Sequence, residues 1–318
     1  MSILILGAFG QDAYYFAKNL DNKRKKIYIS YVRKRNNFRY KKLSNNVEIV
    51  KLDLREYLKI KAFIINKKVS LVINLVASYD KKLSKLIYVN YIYNLNLITA
   101  LKETKKTIKY IYASSSAIFG NKTKVSSLYY NPTTNYAKTK FLSHQMNDEY
   151  RKLYDLQIYN LIFFNHFSII QKKHFLFSKI YFFCLKIKRN AFLDFKPLEI
   201  GNILSLRDWS HADDIAKSSV KIFSKKKPGN YFVNSGKKIT VKDLIEIILT
   251  NLKIIYYFDN KNFYLKKNNK KIFKISQKYM RVNDFEVESY SNNNEIINNP
   301  YKNEHLELFK SIKKIKEI

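Results

Sequence analysis

The chain opens with the apolar run Ser2-Ile3-Leu4-Ile5-Leu6 and stops it at Gly7-Ala8-Phe9-Gly10. A short apolar run closed by glycine reads as a strand buried on both faces, as in a parallel sheet. The pattern then recurs. Residues 12–20 read as a helix, 27–32 and 47–52 as strands, 58–67 as a helix, and 69–76 as a strand. A long helix over 85–102, a strand over 108–113, a helix over 136–153 and a strand over 158–164 continue it. Strands alternating with helices predict an α/β fold with a doubly wound parallel sheet. Past Phe167 the alternation weakens, and 229–252 gives one more strand-turn-helix pattern. We expect a nucleotide-binding domain over 1–165. The remainder, 166–318, is expected to be mainly a smaller substrate-binding lobe, with some segments returning to the sheet. The Lys- and Asn-rich stretch from Asn260 fits neither pattern, and no internal repeat is visible.

Composition narrows the partners. The 318 residues, 46% of them hydrophobic, suffice for one large domain or two modest ones at about 150 residues each. A single cysteine, Cys184, rules out an internal disulfide and every multi-thiolate zinc site, so no metal is expected. Sixty Lys+Arg against 25 Asp+Glu give a net charge of +35, which favours an anionic partner. The lysines are spread along the chain, and Asn, Ile and Tyr are abundant too. We therefore read the charge as a solvated surface serving an anionic small molecule, with no nucleic acid expected. No apolar run reaches the roughly 18 residues of a membrane span, and the first residues do not resemble a signal peptide. A cytoplasmic protein without a membrane partner is the expectation.

The first turn points to a phosphate. In Gly7-x-x-Gly10 the first glycine permits a tight turn and the second lets backbone approach a pyrophosphate. The following helix offers its N–H groups and positive dipole end to the anion. Ala13 stands where a third glycine would be. The second strand runs into Arg33-Lys34-Arg35 with no carboxylate, which suits the 2′-phosphate of NADP better than the ribose hydroxyl of NAD, although NAD is possible. Asp53 is a candidate acceptor for the adenine amino group.

A second motif carries chemistry. Tyr136-Ala137-Lys138-Thr139-Lys140 sets a phenol and an ammonium at i and i+4, on one helix face. The spacing predicts that Lys140 lowers the pKa of Tyr136, so that the phenolate can take a proton from an alcohol while a hydride leaves the same carbon. Ser115, at the end of the preceding strand, is placed to hydrogen-bond the same oxygen. With 26 tyrosines the Tyr-x-x-x-Lys spacing also arises by chance; the Ser-rich strand end before it strengthens it.

Taken in order, Gly-x-x-Gly, Asn74-Leu75-Val76-Ala77, Asn90, Ser114-Ser115-Ser116 and Tyr-x-x-x-Lys resemble the extended short-chain dehydrogenases, which have a Rossmann fold. Gly10-Gln11-Asp12, Phe164-Asn165-His166-x-Ser168, and Gly201-Asn202 through Arg207-Asp208-Trp209-Ser210-His211-Ala212 look most like the GDP-mannose 4,6-dehydratase family. The likeness covers roughly residues 1 to 290. It implies an NAD(P)-dependent enzyme of nucleotide-sugar metabolism, oxidising a GDP-bound hexose at C4. By resemblance Ser115, Tyr136 and Lys140 form the catalytic set. Gly7, Phe9, Gly10, Gln11, Asp12, Arg33, Lys34, Asp53, Leu54, Leu75, Ala77, Tyr136, Lys140 and His166 would contact the coenzyme. Asn165, Lys179, Arg207 and Arg281 would grip the nucleotide sugar. A homodimer or homotetramer is likewise implied. Trp209, Asp208 and His211 read as structural, and so do His144 and His174.

Two departures matter. The family's Ser-Thr-Ser-Glu segment is Ser114-Ser115-Ser116-Ala117 here, so an alanine replaces the glutamate expected to move protons during dehydration. The loop after Asn165-His166 reads Phe167-Ser168-Ile169-Ile170-Gln171 and loses a charged pair. Hydride transfer at C4 is retained in this pattern, which suits a simple C4 oxidoreductase or a 4-epimerase. The alternatives are a true 4,6-dehydratase with a substituted acid/base and a non-catalytic nucleotide-sensing protein.

Overall fold

The computed structural model describes residues 1–22, 24–32, 40, 43–104, 107–120, 130–189 and 194–276. Among these, seven parallel strands form one sheet in the order β10-β6-β5-β4-β1-β2-β3. They are β1 (Ser2–Leu6), β2 (Lys26–Tyr31), β3 (Val47–Lys51), β4 (Val69–Asn74), β5 (Lys109–Ser115), β6 (Ile158–Phe163) and β10 (Gly229–Val233). The doubly wound α/β sheet expected from the alternation is therefore present.

Strand β1 shows why an unbroken apolar run was needed. Its side chains alternate between two cores. Ile3 and Ile5 face one side, with Phe16 and Ala17 of α1 (Gln11–Leu20) and with Ile215 and Ile222 of α7 (Ala212–Lys225). Leu4 and Leu6 face the other, with Ile60 and Ile64 of α2 (Tyr57–Asn66) and with Leu97 and Leu101 of α4 (Tyr93–Glu103). At roughly 25 cal/mol per Å² of apolar surface, a strand buried on both sides is held more strongly than any surface strand.

The helix read over 85–102 is interrupted. After α3 (Leu83–Leu86) the chain widens into a π-helical stretch, Ile87–Ile92, before α4 begins. Asn90 sits in that widened turn. Its backbone carbonyl accepts from the Ser143 hydroxyl at 2.6 Å, which ties it to α5 (Asn135–Tyr154). Such π turns concentrate at functional sites.

A second apolar core lies beyond the sheet. It packs α6 (Leu176–Arg189) against α8 (Val241–Asn251), under two small sheets. One runs β11 (Lys238–Thr240), β9 (Leu206–His211), β7 (Asn165–Phe167). The other runs β12 (Tyr256–Phe258), β13 (Phe263–Leu265), β14 (Lys271–Ile275), β8 (Leu198–Ile200). Between these segments, α7 and β10 return to the large sheet, where β10 pairs with β6. Among the described residues no helix is long and apolar enough to cross a membrane.

A buried chain of amides crosses the first core. The Asn74 amide donates to the Tyr110 hydroxyl at 2.9 Å, and that hydroxyl donates to Asn94 at 2.6 Å. Asn94 donates to Asn147 at 2.9 Å, and Asn147 to Asn160 at 2.8 Å. Asn160 ends on Asp148 at 2.8 Å. Every member is paired, which is what makes burial of these groups tolerable. Asn147→Ala would strand the partners on both sides. We expect a loss of about 2–4 kcal/mol in urea denaturation, the cost of two unsatisfied buried groups.

Candidate active site

Strand order places the crevice. The chain leaves β1 toward β2 and β3, then crosses back to β4 on its other side. Loops at the carboxyl ends of β1 and β4 therefore part from each other, the position where doubly wound sheets bind ligands. The two strands are still joined there, since the Leu75 N–H donates to the Leu6 carbonyl at 3.2 Å.

Gly7 has φ +104°, and a Cβ on it would lie 3.4 Å from the carbonyl of Leu75. The conformation calls for glycine, and a Cβ would just touch Leu75. Gly10 is the N-cap of α1, in extended conformation, and its N–H donates to the Gly7 carbonyl at 2.9 Å. This cradle suits a diphosphate: backbone approaches closely and the helix dipole is directed at it. Ala8 anchors the turn through its N–H to Ser30 at 3.0 Å and its carbonyl to the Tyr40 hydroxyl.

The Gly-Gln-Asp turn is stitched to the segment after β6. Gln11 donates to the His166 carbonyl at 3.3 Å and accepts from Ser168 at 2.7 Å. The imidazole of His166 bridges the Phe164 carbonyl, 2.8 Å from Nδ1, and the Asp12 carboxylate, 3.0 Å from Nε2. Both partners only accept, so both ring nitrogens must donate and the imidazolium is favoured. Burial alone would lower its pKa, but the Asp12 charge and these hydrogen bonds raise it.

The loop after β4 carries the next side chains. The Ser78 N–H donates to the Asn90 side-chain oxygen at 2.7 Å, and the Asn90 amide donates back to the Ser78 carbonyl at 3.1 Å. The same amide reaches Thr139 of α5 at 3.1 Å. This clamp aims Tyr79 at Tyr136. Their rings stack with centroids 4.4 Å apart and planes 19° apart, and their hydroxyl oxygens are 3.2 Å apart. Ser115, at the end of β5, lies near enough to the Tyr136 phenol to favour its charged form, and its own hydroxyl accepts from the Ala117 N–H at 3.3 Å.

Lys140 is buried at 1% exposure. Its ammonium donates to the Ala113 carbonyl and lies 4.2 Å from the centre of the Tyr112 ring. Burial brings its amine down to about 7. The expected lowering of Tyr136 is not what the structure shows. Its phenol is raised, because burial outweighs the opposing influence of the neighbouring Tyr79 and Ser115 hydroxyls. The helical spacing is as read, but the ammonium is directed at strand β5.

The other sequence candidates divide. Phe9 packs beside Tyr31, Leu75 lines the cradle of Gly7, and Ala77 lies exposed in the same loop as Tyr79. Leu54 is buried in the core at 1% exposure, and its carbonyl accepts from Asn96 at 2.8 Å. Asp53 is already engaged by the Arg55 guanidinium, which together with the Arg55 N–H holds its carboxyl below the usual range. Asn165 lies on β7 opposite Trp209, Arg207 lies on β9 opposite Ile239, and Lys179 is exposed on α6. Arg33, Lys34 and Arg281 lie outside the described residues. Asp208 is buried and accepts from Ser235 and Gly236, which pins the turn after β10. His144 is buried between Ser114 and Tyr130 and pushed down to about 4 by desolvation. Among the described residues, no group of His, Cys, Asp and Glu is placed to hold a metal ion. Sequence reasoning missed Tyr79, and its only signal was its place two residues beyond Asn74-Leu75-Val76-Ala77.

Fold and crevice together define an extended short-chain dehydrogenase of the NAD-dependent epimerase/dehydratase superfamily. A UDP-N-acetylglucosamine 4-epimerase from Methanobrevibacter ruminantium superposes with TM-score 0.79 at 21% identity, covering 100% of this chain and 99% of that one. A Thermus thermophilus UDP-glucose 4-epimerase, solved with NAD, gives 0.71 at 17% identity over 92% and 90%. The chain belongs to the GDP-mannose 4,6 dehydratase family, whose model matches residues 4–299. The Dictyostelium discoideum GDP-mannose 4,6 dehydratase is 27% identical over 202 residues, 61% of this chain and 56% of that protein. The chain thus aligns with about half the length of the curated relatives it matches.

The His166–Asp12 link has a pH signature. His166 is raised above its ordinary 6.5 in the fold, so its contribution to stability is fully present below pH 6.5. It fades as pH rises through the elevated value. Urea denaturation across pH 6 to 9 should show this decline in the native chain and a flatter profile in His166→Asn.

Proposed function

We propose that this chain is an NAD(P)-dependent enzyme that oxidises the hexose of a GDP-sugar at C4. The observation that carries this reading is the meeting of Tyr136 and Ser115 at the carboxyl edge of the sheet, beside a glycine turn shaped for a diphosphate. Gly7, Gly10 and the start of α1 would hold the coenzyme diphosphate, with Gln11, Asp12 and His166 bracing that turn. Arg33 and Lys34 favour the 2′-phosphate of NADP, with NAD as the alternative. When bound, the nicotinamide supplies the hydride acceptor.

The chain's own side chains would manage the proton. Tyr136 takes it from the C4 hydroxyl, Ser115 orients that hydroxyl, and Lys140 adds positive charge from the same helix. Asn165, Lys179, Arg207 and Arg281 are the proposed contacts to the nucleotide sugar, the arginines because a guanidinium fork matches phosphate oxygens. The same reading divides the chain into a coenzyme-binding part over 1–165 and a mainly substrate-binding part over 166–318. It also includes a cytoplasmic homodimer or homotetramer that needs neither nucleic acid nor membrane.

Family membership favours a second reading, a full 4,6-dehydratase. Ala117 weighs against it, because an alanine cannot carry the proton that leaves C5 or the one that departs with the C6 hydroxyl. Incubation with GDP-mannose and NADP⁺ or NAD⁺, followed by mass analysis, separates the two. Oxidation without loss of water supports the C4 oxidoreductase, and loss of water supports the dehydratase. If neither coenzyme nor GDP-mannose binds, both are wrong. Tyr136→Phe should lower turnover by about 10²- to 10⁴-fold, as expected for losing a general base.

A further inference from the structure

We propose that Tyr79 is the hydrogen-bond donor that sustains the phenolate of Tyr136, and so is a positioning residue for the C4 proton transfer. The proposal rests on Tyr136 being the base, and it deepens that reading.

The geometry is built on both sides of the pair. Tyr79 cannot drift along its loop, because Ser78 is clamped by Asn90 through both its N–H and its carbonyl. Its ring is held face to face on Tyr136 at 4.4 Å and meets the edge of Phe175 at 5.7 Å. Phe175 sits just ahead of α6, in the turn where its N–H donates to the Lys172 carbonyl at 3.2 Å. Stacking fixes the rings, and the stack sets the two hydroxyl oxygens 3.2 Å apart.

One proton lies between them. With both phenols neutral, Tyr136 donates and Tyr79 accepts. Once Tyr136 has lost its proton, its oxygen only accepts, and the Tyr79 O–H turns to donate to it. A hydrogen bond to a charged oxygen is roughly twice as strong as one between neutral groups. The order of ionisation agrees: charge on Tyr136 holds the phenol of Tyr79, itself 61% exposed, protonated. Other charged and titratable groups bear on the pair. Asp12, at the start of α1, opposes ionisation of both phenols. Tyr112 of β5 is buried and held protonated by desolvation. His174 lies tilted against the far partner Phe175, with ring centres 4.4 Å apart. Lys140 of α5 is occupied with the Ala113 carbonyl. Tyr79 thus supplies a direct contact that the lysine does not.

The test reads ionisation rather than turnover. A fluorinated tyrosine placed at position 136 of the full chain titrates in an accessible pH range and reports its own ionisation by fluorine NMR. The measurement is made with and without saturating NADP⁺. Tyr79→Phe keeps the stacked ring and removes only the hydroxyl. The midpoint at position 136 should rise by about one to two pH units, the size expected for one lost hydrogen bond to a charged group. The melting temperature should stay unchanged. An unmoved midpoint in Tyr79→Phe, in either state, overturns the proposal and reduces Tyr79 to a packing residue. Failure of the underlying reading shows elsewhere, as undiminished turnover of GDP-mannose by Tyr136→Phe.

Discussion

A parallel sheet wound in two directions has one place where its loops must separate, and the candidate site depends on that place. Strand β1 is flanked by β2 and β4, so the connections leave it on opposite sides. The Leu75–Leu6 backbone bond holds the strands together up to the point of parting. Gly7 is needed there because its φ of +104° would strain any side-chain-bearing residue. The glycine turn, the loop carrying Tyr79 and the bracing His166 segment all converge on this edge. Moving β4 from beside β1 would disperse them.

The second constraint is desolvation. Tyr136 is half-buried and Lys140 wholly so, and burial penalises the charged form of each in opposite senses. A phenol pushed up and an amine brought down to about 7 make a neutral pair easier to hold than a phenolate and an ammonium. Hydrogen bonds must therefore supply what proximity of charge does not. The Tyr79 hydroxyl meets that of Tyr136 at 3.2 Å, and Ser115 lies near enough to favour the charged form of the same phenol. The clamp at Asn90 and the amide chain from Asn74 to Asp148 fix the loop and helix that bring them there.

Much of the framework was legible. Strand and helix periods repeat locally, so the alternation, the glycine turn and the Tyr-x-x-x-Lys face could be read from neighbouring residues. The π-helical turn at Ile87–Ile92 was not legible, because its residues keep a helical pattern and the widening is set by Asn90 reaching Ser78 and Ser143. The amide chain was also hidden. In a sequence so rich in asparagine, buried and exposed amides look alike until partners are known.

The sequence by itself determined the strands of the large sheet and most of the helices flanking it up to Phe164, where the glycine turn stands, and which helix carries the phenol and the amine. Those properties follow from bond geometry and from periods of two and 3.6 residues. Only the tertiary structure decided that Tyr79 meets Tyr136 across 57 positions, that Ser168 meets Gln11 across 157, and that Lys140 turns toward β5. Contacts of that kind depend on strand order and on competition for buried hydrogen bonds. Neither leaves a local trace in the chain.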